Sequence, residues 1–201
     1  SIADGDLLLW AQAISYERNI ECSVFEPEVS PLAVQGPKSD ETMADLLGDW
    51  VTDIPFFGFV DTELDGIPFL ICRSGWSGQG GFELFLTDES KGIDLWERVW
   101  EAGLKYGRHP GTPNAVERIE SELLSYRADC AASATPLELG LERFMNLERE
   151  DHFIGKEALL SERSRGPSRR LVKIILSGER LTAPNEEPWP ALDESGNEIG
   201  E

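Results

Sequence analysis

Four glycines crowd one short connection between two apolar runs, and that connection limits the folds open to this chain more than any other feature. The run Ile67–Cys72 reads as a strand and another begins near Phe82; between them lies Arg73-Ser-Gly-Trp-Ser-Gly-Gln-Gly-Gly, followed by Phe82-Glu83. Gly75, Gly78, Gly80 and Gly81 admit backbone angles that a Cβ obstructs, so the loop can approach another surface closely or turn its amides toward something flat. A bulged hairpin and a ligand-wrapping loop both satisfy the pattern. Just upstream, the runs 54–64 and 67–72 flank Asp65-Gly66, a two-residue hairpin signal.

The remaining periodicity supplies helices around these strands. Residues 4–18 read as a helix with Leu7, Leu8, Leu9, Trp10, Ala13 and Ile14 apolar around most of its circumference, and are therefore expected to be largely buried. Residues 20–25 and 32–35 read as strands, Gly36-Pro37 ends the second, and Ser39 is expected to cap a helix carrying Met43, Leu46 and Leu47 inward, with Trp50 closing it against the sheet. Ile93, Trp96, Val99 or Trp100, and Leu104 recur at helical spacing; 115–124 and 155–160 read as further helices. The order predicts an α+β fold: an antiparallel sheet with helices on one face, a ferredoxin-like split β-α-β arrangement. Arg163-Ser-Arg-Gly-Pro-Ser168 reads as a polar linker, and 171–176 as the start of a new β segment.

Composition narrows the partners. A chain of 201 residues with 40% hydrophobic content can bury one core with an appendage. A formal charge of -20, from 38 acids and 18 bases, argues against a nucleic-acid backbone or an anionic membrane as partner. The acids are dispersed, which reads as a solvated surface. Cys22, Cys72 and Cys130 are far apart and lack metal-ligand spacing, so the expectation is reduced, buried thiols, no disulfide, no metal, and a cytoplasmic location. No apolar run is long enough for a membrane-spanning helix. The start at Ser1, in helix-like sequence without methionine, reads as a fragment.

The glycine loop, Arg118-Ile-Glu-Ser-Glu-Leu-Leu-Ser-Tyr126, Thr135-Pro-Leu-Glu-Leu-Gly-Leu and Asp151-His-Phe-Ile-Gly-Lys-Glu-Ala-Leu159, in that order, resemble the folate-binding aminomethyltransferase family, the glycine cleavage T-protein and its relatives. Ser1-Ile-Ala-Asp-Gly-Asp-Leu-Leu-Leu-Trp10 and Phe25-Glu-Pro-Glu-Val-Ser-Pro-Leu-Ala-Val-Gln-Gly-Pro37 resemble the dimethylsulfoniopropionate demethylase branch. The resemblance implies the T-protein folate-binding fold, with residues 1–165 as a folate-binding α+β region lacking its N-terminal part and 166–201 as the beginning of a truncated C-terminal β-barrel. It implies a tetrahydrofolate-dependent methyl or one-carbon transferase in the intact protein, and an inactive fragment. The donor would be a small molecule, or an aminomethyl group on a lipoyl carrier protein if the chain is a true T-protein.

Alternation places Glu83 on the opposite sheet face from Phe82 and Leu84. The resemblance matches it to the family's pterin-binding glutamate, whose carboxylate accepts paired hydrogen bonds; an ordinary exposed strand glutamate is the alternative. Arg118 matches an arginine near the ligand, or else anchors its helix to a neighbouring acid. Tyr126 matches an aromatic hydroxyl beside folate, or is core packing. Trp76 offers an aromatic face to a sulfonium or quaternary ammonium, or plugs the loop. Asp6 aligns with the catalytic acid of T-proteins, in competition with Asp4, which can instead cap the helix. Gln79 stands where the family commonly has an acid, and Phe153-Ile-Gly-Lys156 can be a turn leading into a helix. Competing readings are a folate-binding module without turnover, although no Lys-Gly-Cys-Tyr signature occurs here, and the C-terminal part of a folate-linked dehydrogenase.

Overall fold

The structure is a computed structural model that describes residues 4–111, 115–179 and 189–200. It divides into two compact units, Ser1–Ser133 and Ala134–Glu201, so the boundary expected after residue 165 falls inside the second unit.

In the first unit, helix α1 (Asp4–Glu17) precedes β1 (Ser30–Gln35), α2 (Ser39–Leu47), β2 (Phe59–Leu64), β3 (Ile67–Cys72), β4 (Gly81–Leu86), α3 (Gly92–Gly103) and α4 (Ala115–Glu120). The sheet is antiparallel in the order β1-β4-β3-β2. This corrects the split β-α-β expectation: β1 and β2 stand at opposite edges rather than flanking one strand, because β2, β3 and β4 form a meander that β1 joins beside β4. Asp65 (φ 50°) and Gly66 (φ 78°) make the expected tight turn between β2 and β3.

Alternation then sorts the faces. Ile67, Phe69 and Ile71 of β3 and Phe82, Leu84 and Leu86 of β4 are buried together with Met43 of α2, Leu95 of α3 and Val51. Leu95, Val99 and Gly103 form the inward stripe of α3, whereas Ile93, Trp96 and Leu104, expected on that stripe, are exposed. Wide aromatic and aliphatic side chains at the helix rim mimic an amphipathic face one step out of phase with the real one. Ser39 is the first helical residue of α2 and makes no capping bond; Trp50 is partly exposed and its indole N–H donates to the Leu47 carbonyl (2.6 Å).

Other expectations also need correction. Residues 20–25 form no strand, and the run 54–64 becomes a strand only at Phe59, because the chain turns at Pro55–Gly58 with Phe57 at φ 61°. Helix α1 is not largely buried: Leu7, Leu9 and Trp10 are exposed, and only Leu8, Ala11, Ile14 and Ser15 form a half-buried stripe. Cys22 is exposed and Cys72 and Cys130 half-buried, so burial fails for the first thiol. No helix among the described residues is long and apolar enough to cross a membrane.

In the second unit, Thr135 and Glu138 cap one turn reciprocally: the Glu138 amide donates to Thr135 Oγ1 (3.2 Å), and the Thr135 amide donates to Glu138 Oε2 (3.0 Å). In the family-like Phe153-Ile-Gly-Lys segment, Gly155 (φ 90°) starts α5 (Lys156–Arg165), and Lys156 Nζ donates to the carbonyls of Arg149 and Asp151. The first residues of the expected linker thus lie in α5. The segment 171–176 is not a strand, since no described strand pairs with it, and Ile174, Ile175 and Leu176 are exposed. A short hairpin instead joins β5 (Ala191–Leu192) to β6 (Glu198–Gly200).

Candidate functional site

The site is built where β1 and β3 end and β4 begins. In register, Glu83 of β4 lies between Ala33 of β1 and Cys72 of β3, on the face away from Phe82 and Leu84, as alternation requires. Its carboxylate is half-buried and takes a 2.5 Å hydrogen bond from Ser74 Oγ to Oε2. Burial, and secondarily the Glu83 carboxylate, pushes the neighbouring Cys72 thiol above its ordinary pKa.

The glycine loop is pinned from inside by Gln35, at the end of β1. Gln35 Nε2 donates to the carbonyls of Ser74 (3.0 Å) and Phe82 (3.1 Å), while Oε1 accepts from the Ser77 hydroxyl (2.8 Å). A Cβ at Gly75 would overlap the Gln35 amide, and one at Gly81 the Val34 carbonyl, so these glycines allow the loop to close around the glutamine. Arg73 opens the loop: its Nη2 bonds Asp40 Oδ2 (2.8 Å) and its guanidinium lies 4.4 Å from the Phe82 ring centroid.

Trp76 projects from this pinned loop, 40% exposed, with no hydrogen bond or ring stacking to a described residue. Beside the loop runs the tail of α4, where Ser121 Oγ donates to the Ser77 carbonyl (3.4 Å). Arg118, one turn back, is committed to Asp129: Nη1 to Oδ2 is 2.6 Å, and the same oxygen accepts the Ser125 amide (2.7 Å). That is the helix-anchoring arrangement. Tyr126 sits half-buried in the turn this pair organises, bridged to Cys130.

The structure therefore assembles Glu83 and Trp76 around one loop and sets the Arg118–Tyr126 segment beside it. It does not join Asp6 to them. Asp6 is exposed on α1 and its carboxylate has no hydrogen bond or ion pair to a described residue; the Asp4 side chain lies outside the described residues. Gln35, Ser74, Ser77, Ser121 and Asp129 were not singled out from the sequence. A glutamine directly before Gly36-Pro37 at a strand end was the available signal for the first.

A family model described as the GCVT N-terminal domain matches residues 3–149. The chain is 40% identical over 201 residues to a dimethylsulfoniopropionate demethylase of Ruegeria pomeroyi, covering 100% of this chain and 54% of that protein. It is 36% identical over 156 residues to an aminomethyltransferase of Thermoanaerobacter pseudethanolicus, covering 76% of this chain and 42% of the relative. An aminomethyltransferase of Desulfitobacterium hafniense is 35% identical over 193 residues, 95% of this chain and 51% of the relative. The chain spans about half the length of these curated relatives.

Proposed function

The chain belongs to the folate-binding aminomethyltransferase family, and from that premise we propose that the protein transfers a methyl or other one-carbon unit from a small charged donor to tetrahydrofolate. The observation that carries this reading is Glu83, held half-buried on the outer sheet face by Ser74, with the exposed indole of Trp76 on the loop beside it. Ser74 occupies one lone pair of Oε2, which leaves Oε1 and the second lone pair of Oε2 to accept two N–H groups from the amino-pyrimidine edge of the pterin. Tyr126 and Arg118 are assigned to the folate side, Arg118 acting through the turn it orders with Asp129.

Similarity to the demethylase supports dimethylsulfoniopropionate as donor. In that reaction the N5 lone pair of tetrahydrofolate attacks the sulfonium methyl in line. The carbon–sulfur pair stays on sulfur as a neutral thioether leaves, and N5 loses its proton to solvent. The chain's contribution is alignment and a desolvated wall, with Trp76 facing the cation. Similarity to the aminomethyltransferases supports the second reading, in which an aminomethyl group on a lipoyl carrier protein is the donor; the acid for ammonia departure then comes from outside the Glu83–Trp76 loop, with Asp6, exposed on α1, as its candidate.

Tetrahydrofolate titration followed by addition of dimethylsulfoniopropionate, with 5-methyltetrahydrofolate as readout, tests the reading. Absence of folate binding overturns it at the level of the family's chemistry; binding without methyl transfer overturns the demethylase version alone. Glu83→Gln is expected to weaken folate binding by roughly 1–3 kcal/mol.

A further inference from the structure

A second concavity lies on the other side of β1, away from Glu83. It measures about 410 Å³ and runs along the free edge of β1 from Leu32 to Gln35, between the start of α2 and the last turns of α3, a size suited to a small organic molecule; Gln35 also pins the glycine loop, so the two sites share that one residue. β1 is an edge strand, so alternate residues turn their N–H and C=O groups off the sheet along this concavity. The opposite edge, β2, is guarded by exposed Asp61 and Glu63, whereas β1 reads Ser-Pro-Leu-Ala-Val-Gln and carries no charge.

The wall opposite β1 is a three-layer stack. Trp96 and Trp100, one turn apart on α3, lie 5.7 Å apart and nearly parallel, and the Arg108 guanidinium covers Trp100 at 3.2 Å from its centroid. Arg108 Nε donates to the Trp100 carbonyl (2.8 Å), which fixes the plane of the fork. The bland account, an arginine closing a helix C-terminus, uses Nε and the face of the guanidinium. It leaves the two Nη groups, which make no hydrogen bond to a described residue, and Arg108 has no acidic partner among the described residues. Of the Lys and Arg side chains that line the concavity, Lys38 is paired to an acid, Glu41 (2.6 Å), and Arg108 is not, so Arg108 is its unspent cation.

From this arrangement we infer that the concavity beside β1 is a binding site for a flat aromatic monocarboxylate, distinct from the site at Glu83. The carboxylate takes the two Nη groups of Arg108 in fork geometry, and the ring lies across the edges of the Trp100 and Trp96 indoles that line the concavity. A monoanion fits better than a phosphate because the acidic surface penalises each added negative charge.

The test uses indole-3-carboxylate and its neutral isostere indole-3-carboxamide as probes, followed by ¹H–¹⁵N NMR on the purified protein. Saturable shifts are expected at the indole N–H groups of Trp96 and Trp100 and at the amides of β1, with the carboxamide bound about tenfold more weakly for loss of the charge-assisted pair. Arg108→Gln should remove that preference, Trp96→Ala should weaken both probes together, and Glu83→Gln should change neither. The inference is overturned by shifts centred on Trp76 and Glu83, by no saturable binding into the millimolar range, or by an Arg108→Gln protein that still prefers the carboxylate. If Arg108→Gln fails to fold, Trp96→Ala decides: wild-type affinity in that variant overturns the site.

Discussion

Gly78 and Ser121 touch so closely that a Cβ on the glycine would lie 2.6 Å from both Cβ and Oγ of the serine. This contact seats the tail of α4, and with it the Arg118–Tyr126 segment, on the glycine loop. Gly78 (φ 69°) and Gly80 (φ 80°) share a left-handed backbone, but nothing lies within 4 Å of a Cβ at Gly80. The two positions therefore separate strain from contact. Gly80→Ala is expected to cost only the conformational term, about 1–2 kcal/mol, with folate affinity nearly retained. Gly78→Ala should cost more and also weaken folate, because α4 must shift. Urea unfolding and a folate titration of both variants check this; equal losses would detach α4 from the site.

Gln35 is expected to matter to ligand binding without touching ligand. Gln35→Leu strips the Ser74 and Phe82 carbonyls and the Ser77 hydroxyl of their partner, which should destabilise the protein by roughly 1–3 kcal/mol. It should also loosen Ser74, and so the carboxylate that Ser74 orients. The expected signature is a rise in the folate dissociation constant that Gln35→Glu restores poorly, since a carboxylate cannot donate to the two carbonyls. Isothermal titration with each variant, beside Glu83→Gln, reads this; a Gln35→Leu protein with wild-type folate affinity would remove the pin from the site.

Cys72 reports on Glu83 independently of any ligand. Its thiol is held above the ordinary range first by burial and second by the Glu83 carboxylate, so at a fixed pH it carries less thiolate than a solvated cysteine. The folded pKa exceeds the unfolded one. The thiol's contribution to stability is therefore full below the unfolded pKa and falls away as alkaline pH climbs through the folded value. In mass-spectrometric alkylation, exposed Cys22 should react before Cys72, and Glu83→Gln should speed Cys72 without bringing it level with Cys22, because the burial remains. An unchanged Cys72 rate in that variant would take the carboxylate out of the thiol's surroundings.

What was legible in the sequence is what local chemistry decides. Asp65-Gly66 dictates its turn by accepting positive φ, and the alternation Phe82-Glu83-Leu84 assigns Glu83 its face without reference to anything distant. The run 171–176 has the composition of a strand, yet composition supplies no partner edge, and none of the described strands provides one. Ile93 and Trp96 fit a helical period as well as Leu95 and Val99 do; only the position of the sheet decides which stripe is inward. The loop was visible through its glycines, but its pin was not: Gln35 lies 39 residues from Ser74, and a side-chain amide inside a loop leaves no periodic trace. Arg118 illustrates the same limit, since its partner Asp129 became apparent only once the intervening turn had folded back.

In the second unit, Glu138 should make folding acid-labile. The hydrogen bond from Arg169 Nε to Oε1 (3.0 Å), and then the Thr135 amide on Oε2, hold its carboxyl below the ordinary carboxylate range. A depressed folded pKa contributes stability that is complete above the unfolded value and disappears as pH falls through the folded one. Lowering the pH through the acidic range should therefore first open the Thr135–Glu138 turn, raising exchange at the Thr135 amide and at Leu171, whose N–H donates to the Glu138 carbonyl (2.8 Å). Glu138→Gln keeps the shape and an acceptor oxygen but loses the charge, so these amides should exchange faster at neutral pH and show a smaller added acid response than wild type. Hydrogen exchange across that pH series measures both proteins, with intrinsic chemical rates divided out. Identical profiles for the two would show that the Arg169 contact contributes nothing to the turn.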